Sequence, residues 1–146
     1  MANEEEPRYL LDTNIVSELT KTVANYGVLK KLIEHNGDCA IAAPVWQEML
    51  FGMQCLADGA YKTYLSKFLH EEVLDMFPIK NYTKKTAEIQ ATLRSTLKRL
   101  GKPSQYPDTE IAAIALANRM IIITRNVKHF AAIQEISDLA VENWFE

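Results

Sequence analysis

Short apolar runs, separated by longer segments of helical composition, are the feature of this 146-residue chain that most constrains its fold. The runs occupy residues 9–11, 39–43, 73–79, 121–124 and 139–141. Apolar residues fill most of each run instead of alternating with polar ones, a pattern typical of parallel strands that helices cover on both faces. The sequence therefore predicts an α/β fold, a three-layer α/β/α sandwich around a central parallel sheet.

The segments between these runs carry the signals of helices. The longest spans residues 83–100 and precedes Gly101, which is placed to cap its C-terminus. Residues 108–120 are rich in alanine and predict a helix that begins at Asp108. Since no repeat or interior linker interrupts the pattern, we expect one domain over residues 8–146, preceded by a flexible acidic tail at residues 1–7.

Several classes of enzyme lack their usual motifs in this chain. The five glycines form no Gly-x-Gly pair, so the dinucleotide-binding fingerprint and the phosphate-binding loop of P-loop proteins are both absent. The three histidines are too scattered for a zinc-protease helix, and there is no Gly-x-Ser-x-Gly or Cys-x-x-Cys motif. Carboxylates remain as the candidate catalytic groups.

The sequence predicts a soluble, cytoplasmic protein. No apolar run approaches the ~18–20 residues that a membrane-spanning helix needs. The first seven residues contain three glutamates, which is the reverse of a secretion signal. The two cysteines, Cys39 and Cys55, form neither a zinc quartet nor a dense disulfide framework, which indicates a reducing compartment.

Charge is distributed unevenly along the chain. The net charge is −3, but residues 80–102 carry seven Lys or Arg side chains against one acid, Glu88, a local charge of +6. Such a basic helix in an acidic protein is either a solvated surface or a contact for an anionic partner such as nucleic acid.

Three acids and one amide lie near predicted strand ends, where ligands collect in an open parallel sheet. Asp12 directly follows the first strand, Glu48 lies about one turn into the helix after the second, and Asn126 follows the fourth. Asp108 joins them if its helix starts near the same edge. Each acid also has an ordinary interpretation, since Asp12 and Asp108 suit helix N-caps and Glu48 suits an exposed helix face.

Three carboxylates at one edge of a sheet repel one another unless a cation lies between them. Oxygen ligands without His or Cys favour Mg²⁺ or Mn²⁺. Such a cation can activate water and neutralise the charge that develops on a phosphodiester during in-line attack. Asn126 can supply a neutral oxygen or orient a water molecule, and Thr13 and Asn14 can hydrogen-bond Asp12 or the phosphate.

Four segments of the chain resemble the motifs of PIN-domain proteins, specifically the VapC-type toxins of bacterial and archaeal toxin–antitoxin pairs. They are Tyr-Leu-Leu-Asp-Thr-Asn-Ile-Val-Ser-Glu-Leu at 9–19, Ala-Pro-Val-Trp-Gln-Glu-Met-Leu-Phe-Gly at 43–52, Asp-Thr-Glu-Ile-Ala-Ala-Ile-Ala at 108–115 and Ile-Ile-Ile-Thr-Arg-Asn-Val-Lys-His-Phe at 121–130. Val-Glu-Asn-Trp at 141–144 is similar to the usual C-terminal ending. Each motif is weak alone, but four in the family's order and spacing are specific together.

The resemblance implies a metal-dependent endoribonuclease. Asp12, Glu48 and Asp108 match the family's three main acidic residues, which would hold Mg²⁺ or Mn²⁺. The fourth position is acidic in some members and Asn in others, and here it is Asn126. Many members also have Asp before the Phe of the fourth motif, where this chain has His129; both departures bear on how many metal ions bind.

The resemblance also implies partners for the chain. RNA would be the substrate, and Arg94, Lys98 and Arg125 are candidate contacts for its phosphates, beside Thr13 and Asn14. A cognate VapB-type antitoxin would neutralise the enzyme. Homodimers are expected, whose paired sites would form one groove for RNA.

Two other functions stay open from the residues alone. A catalytically inert PIN-like module would keep the fold and act through antitoxin or nucleic-acid binding. A phosphotransfer domain of the receiver type would need an acidic cluster around a phosphoacceptor Asp and a Lys after a later strand, and no such placement is visible.

Overall fold

A computed structural model of the chain describes residues 6–102 and 104–146. Within them lie the strands β1 (Tyr9–Leu11), β2 (Cys39–Ala42), β3 (Ile79–Lys80), β4 (Ile121–Ile123) and β5 (Val141–Glu142). They form one sheet in the order β3-β2-β1-β4-β5, and every neighbouring pair is parallel. The predicted α/β fold with a central parallel sheet is confirmed.

Helices join every consecutive pair of strands, as parallel strands require. The α-helices of the described residues are α1 (Thr13–Val16), α2 (Tyr26–Glu34), α3 (Ala43–Gln54), α4 (Ala60–Lys67), α5 (Leu74–Met76), α6 (Lys84–Arg99), α7 (Tyr106–Asn118) and α8 (Ala131–Ile136). A π-helical turn (Phe68–Val73) joins α4 to α5, and 3-10 turns (Ser17–Thr20 and Val127–Phe130) follow α1 and precede α8.

The central strand β1 aligns the ends of its two neighbours. Every residue of β1 and β2 is buried, as strands between two helical layers must be. Leu11 pairs with Ile41 of β2 on one side and with Ile123 of β4 on the other. The N–H of Asp12 extends this ladder by donating to the Ile123 carbonyl at 2.9 Å. The three strands therefore end at one edge of the sheet.

The strand predicted at residues 73–79 is wrong in its extent. Only Ile79–Lys80 forms a strand; the residues up to Met76 are helical, and Phe77 is extended. Leu69 and Val73 are both buried at a spacing of four residues, so the apolar pattern there has the period of a helix. Pro78 favours an extended residue before it, which ends the helix and leaves room for a very short strand.

The helix predicted to begin at Asp108 begins two residues earlier. Tyr106 is the first residue of α7, and Pro107 lies in the first turn, where a missing N–H costs nothing. Gln105 occupies the N-cap position. Asp108 therefore lies inside the first turn, and the interpretation of its carboxylate as the N-cap of α7 is wrong.

The predicted C-terminal cap of α6 is confirmed. Gly101 has a φ of +66°, a conformation that glycine adopts at little cost. Its N–H donates to the Lys98 carbonyl at 3.2 Å, and the N–H of Lys102 donates to the Leu97 carbonyl at 3.0 Å. These bonds satisfy carbonyls that the end of the helix would leave unpaired.

The described residues also bear on the predicted compartment and tail. None of their helices is long and apolar enough to cross a membrane. Cys39 is buried and Cys55 is exposed, and both are free thiols; burial raises the pKa of Cys39 to about 12. Of the predicted tail at residues 1–7, the first five lie outside the described residues, and Glu6 pairs with Lys80 at 2.7 Å.

The last residues of the chain pack on the start of α2. Trp144 is buried in an aromatic cluster. The Asn25 side chain holds the backbone of Glu146, donating to its carbonyl at 3.1 Å and accepting from its N–H at 3.2 Å. A Cβ added to Gly27 would lie 2.5 Å from the Trp144 carbonyl oxygen. The close approach of the two segments thus requires glycine at position 27.

We predict that Gly27→Ala lowers the free energy of unfolding by about 1–3 kcal/mol, because the clashing atom is a backbone carbonyl. Gly52→Ala is the matched control, since an added Cβ there meets nothing within 4 Å. It lies inside α3 and is expected to raise stability by about 0.5–1 kcal/mol. Urea unfolding of both variants measures the difference, and similar effects at the two sites would contradict the packing described.

Candidate active site

A cleft of about 630 Å³ opens at the edge of the sheet where β1, β2 and β4 end. Its walls come from the segment after β1, the start of α3, the first turns of α7 and the segment after β4. Polar residues that line it include Asp12, Thr13, Asn14, Glu48, Asp108, Glu110, Asn126 and His129. The fold thus brings together the four residues predicted at strand ends, although they are distant in sequence.

Asp12 is held at both of its carboxylate oxygens. Oδ1 accepts from the Thr13 N–H at 2.8 Å, and Oδ2 accepts from the Thr124 hydroxyl at 2.9 Å. Burial raises the pKa of Asp12 above its ordinary value; the two hydrogen bonds oppose this rise, and the charge of Glu48 adds to it. Asp12 caps α1 as expected, but the effect of burial on its pKa outweighs that of the cap.

Glu48 lies on α3 and faces the same cleft as Asp12. Its side chain is exposed, as the surface interpretation expects. However, its Oε2 accepts from the Thr13 hydroxyl at 2.6 Å, a bond that spans 35 residues of sequence. Glu48 is therefore oriented toward the segment that carries Asp12.

Asp108 completes the group of three acids. It is half-buried in the first turn of α7. Burial raises its pKa, the nearby His129 opposes this rise, and the charge of Asp12 adds to it. His129, at the position where the resemblance to the fourth motif leads us to expect Asp, is exposed and lines the cleft. Its electrostatic effect reaches both aspartates.

Thr124 organises one side of the cleft and is not identified by sequence reasoning. Its fully buried hydroxyl donates to Asp12 and accepts from the Asn14 side-chain amide at 3.1 Å and from the Asn126 N–H at 3.0 Å. The sequence shows that Thr124 comes one residue after Ile123. This position predicts a contact with Asp12 only once β4 is known to pair with β1. Asn14 is also tied at its other end, accepting from the Arg125 N–H at 2.9 Å.

Glu110 is a second residue of the cleft that sequence reasoning does not separate from chance acids. It lies two residues after Asp108 on α7 and lines the cleft. Burial raises its pKa. Residues two positions apart in a helix do not share a face. The sequence alone therefore does not predict that Asp108 and Glu110 line the same cleft.

The three basic residues predicted to contact substrate do not line the cleft. The Arg94 guanidinium lies over the Tyr106 ring, 5.0 Å from its centroid, and Lys98 is exposed on α6. The Arg125 guanidinium lies over the Phe145 ring at 4.7 Å. The predicted phosphate contacts therefore lie outside the cleft wall, whereas Thr13 and Asn14 form part of it.

The donor chemistry of the cleft fits a hard divalent cation. Asp12, Glu48 and Asp108 offer carboxylate oxygens, Asn126 offers an amide oxygen, and neither cysteine lines the cleft. As the side chains stand, no group of three His, Cys, Asp or Glu in residues 6–102 and 104–146 is arranged to hold a metal ion. The raised pKa values of the two aspartates nevertheless indicate uncompensated charge, which a cation would relieve.

Comparison with known proteins places this cleft in a family. A family model described as PIN domain matches residues 9–136, which include every acid of the cleft. The chain belongs to the PIN-domain family. The resemblance inferred from the four motifs is thereby confirmed.

Individual relatives of this PIN domain align along nearly the whole chain. The FitB toxin of Neisseria gonorrhoeae is 32% identical over 139 residues, covering 92% of this chain and 96% of that protein. Ribonuclease VapC2 of Rickettsia felis is 28% identical over 141 residues, covering 93% and 97%. The solved structure of FitAB bound to the IR36 DNA fragment matches with a TM-score of 0.85 and 31% identity, covering 94% and 96%.

We predict that Asp12→Asn leaves the metal-free protein as stable as the wild type or more stable at neutral pH. Because folding raises the pKa of Asp12, its contribution to stability is present below the unfolded-state pKa and is lost as the pH rises through the folded-state pKa. Asn does not ionise, so the variant does not lose this stability as the pH rises. Its melting temperature in EDTA should be roughly 0–5 °C higher than that of the wild type near neutral pH, and the two should converge in acid.

Thermal unfolding at several pH values measures this effect. Asp75→Asn is the control, because Asp75 is exposed on α5 and its substitution changes the net charge equally. A clear loss of stability in Asp12→Asn at neutral pH, absent from the control, would contradict the interpretation that burial dominates at Asp12.

Thr124→Val tests the hydrogen-bonding centre of the cleft. The change keeps the side-chain shape but leaves the Asn14 amide and the Asn126 N–H without their acceptor. We expect the free energy of unfolding to fall by about 1–3 kcal/mol. Chemical denaturation measures the loss, with Thr92→Val on the exposed face of α6 as control. Equal stability of the two variants would show that the Thr124 bonds contribute little.

Proposed function

We propose that this PIN domain is an endoribonuclease toxin that depends on Mg²⁺ or Mn²⁺ and that a cognate antitoxin neutralises. One observation carries the proposal: acids from three separate elements, Asp12, Glu48 and Asp108, line one cleft together with Asn126. A set of unrelated caps and surface acids has no reason to converge in this way. The names of the relatives, a toxin and a ribonuclease, support the same function.

Asp12, Glu48 and Asp108 hold the cation in this proposal. When bound, a divalent cation supplies charge neutralisation at the phosphodiester and a more acidic water molecule. Asp12 is half-buried, and the loss of solvent around its ionised carboxylate raises its pKa. This cost is the reason that the cleft favours a cation. Mn²⁺ and Mg²⁺ both match oxygen-only ligands.

The neutral residues of the cleft orient these acids. Thr13 donates to Glu48, and Thr124 donates to Asp12. Asn14 is bonded at both ends of its amide, so its contribution is to position the backbone of Arg125 rather than to exchange partners. Asn126, whose N–H is anchored on Thr124, presents its side chain to the cleft as a neutral ligand or as an orienting group for water.

Basic residues outside the cleft bind the phosphates of the RNA on either side of the cleaved bond. Arg94, Lys98 and Arg125 are assigned this role because all three are exposed and do not contribute to the acidic wall. Such contacts give affinity that is independent of sequence and falls steeply with salt.

A protein partner of the VapB type completes the proposal. The proposal of an antitoxin is supported by the similarity of this chain to proteins named as a toxin and as a VapC ribonuclease. Ile33 on α2 and Phe51 on α3 are 76% and 59% exposed, and exposed apolar side chains of this size suit contacts with another chain. The antitoxin and the homodimer expected from the resemblance are both assigned to surfaces of this kind.

We predict that purified protein cleaves total cellular RNA into discrete fragments in Mn²⁺ or Mg²⁺ and is inactive in EDTA. Asp12→Asn should lower the rate by at least about 100-fold, because it removes a charged cation ligand while conserving volume. Gel analysis of the RNA checks cleavage, and thermal unfolding with Mn²⁺ checks cation binding, since a ligand of the folded state raises its stability.

Asp75→Asn again serves as the control and should cleave like the wild type. Metal-independent cleavage, or full activity of Asp12→Asn, would remove Asp12 from the metal site. Stabilisation by Mn²⁺ without cleavage of any RNA would favour the alternative of a catalytically inert module that acts by binding its partner.

A further inference from the structure

Two tyrosines and an arginine form a group beside the cleft, here called the aromatic rim: Tyr82, Arg94 and Tyr106. The guanidinium of Arg94 lies 5.0 Å from the centroid of the Tyr106 ring. Tyr106 is 52% exposed and Tyr82 is 42% exposed. Neither ring is buried in the core, so packing of the fold does not account for two large aromatic side chains at this place.

The aromatic rim borders the acidic cleft. Tyr106 is the first residue of α7, and the next two residues, Pro107 and Asp108, line the cleft. Glu110 also lines the cleft and lies four residues after Tyr106, hence on the same face of the helix. The Tyr106 ring is therefore within one helical turn of the acids.

A buried hydrogen-bond chain fixes the aromatic rim in place. The Tyr82 hydroxyl donates to Gln90 Oε1 at 2.6 Å, and Gln90 Nε2 donates to the Thr109 hydroxyl at 3.1 Å. Thr109 in turn donates to the Tyr106 carbonyl at 2.8 Å. Gln90 and Thr109 are 2% and 1% exposed. A surface held in advance by buried contacts loses little entropy when it binds a ligand.

Positive charge accompanies the aromatic rim on α6, outside the lining of the cleft. Arg94 and Lys98 are exposed and one turn apart on α6, within the segment whose local charge is +6. This charge offsets the repulsion that the acidic cleft exerts on a polyanion. An arginine stacked on an exposed aromatic ring, beside a cationic helix, is the combination that binds single-stranded nucleic acid.

We propose that Tyr106, supported by Arg94, stacks on a base of the RNA substrate next to the phosphodiester in the cleft. The inference rests on the proposed nuclease function and assigns a substrate-binding role to a residue that lies outside the acidic lining of the cleft. An aromatic ring can stack on any base that is unpaired and accessible. The bases of an RNA duplex are already stacked inside it, where a surface tyrosine does not reach them.

Binding of a short fluorescein-labelled RNA of mixed sequence, free of self-complementarity, tests the proposal in EDTA at about 150 mM salt, where weak phosphate contacts are suppressed. Tyr106→Leu keeps apolar bulk without an aromatic face and should weaken the affinity roughly 5- to 100-fold. Tyr106→Phe should stay within about twofold of wild type, because stacking needs the ring and not the hydroxyl. Tyr61→Leu, on α4 and 56% exposed, is the control and should bind normally.

The same RNA annealed to its complement separates stacking from phosphate contact. Duplex affinity should not change in Tyr106→Leu, and in cleavage assays the variant should raise KM with kcat nearly unchanged. Equal losses for single strand and duplex would overturn the proposal, as would wild-type affinity in Tyr106→Leu or the absence of RNA binding by the wild type. A change in oligomeric state without a change in RNA affinity would also overturn it and assign the aromatic rim to a protein contact.

These outcomes are distinct from those of the nuclease test. If Tyr106→Leu cleaves and binds RNA like the wild type, the nuclease function stands and the stacking site is ruled out. A protein whose single-strand affinity depends on Tyr106, but which cleaves no RNA in Mn²⁺, keeps the stacking site and loses the nuclease function.

Discussion

Partial burial of the Asp12 carboxylate at the end of the central strand is the constraint on which the rest of the cleft depends. The ladder between β1 and β4 runs through Leu11 and Ile123 and continues in the bond from the Asp12 N–H to the Ile123 carbonyl. The Asp12 side chain consequently emerges between the neighbouring strand ends. Its two oxygens are hydrogen-bonded, but hydrogen bonds alone do not offset the loss of solvent, as its raised pKa shows.

The other acids of the cleft make ionisation of Asp12 more unfavourable, because they carry the same charge. Glu48 and Asp108 both add negative charge near Asp12, and burial raises the pKa of Glu110 as well. The protein tolerates the cluster because its apolar strands and helices supply stability elsewhere, a trade that is common at functional sites. In the proposed nuclease, a cation held between the acids relieves this repulsion, a purpose that folding alone does not supply.

The contact between α6 and α7 links the acidic cleft to the basic part of the chain. Gln90 and Thr109 are buried polar residues whose partners are each other, Tyr82 and the Tyr106 backbone. This contact fixes the start of α7 and hence the position of Asp108. Arg94 of the basic helix contacts Tyr106 near the cleft, whereas the lining of the cleft contains no residue of α6.

The sequence by itself determined the α/β class, the central strands and Asp12, Glu48, Asp108 and Asn126 as candidates, because apolar runs and the residues that follow them are local patterns. It misjudged the segment at residues 73–79, where buried positions four residues apart are helical, and the start of α7, where Pro107 permits an earlier first turn. Only the tertiary structure decided that Thr124 lies beside Asp12, that Glu110 and His129 enter the cleft and that Arg94 stacks on Tyr106. Those contacts depend on which strands pair and how helices pack, and spacing along the chain does not record either.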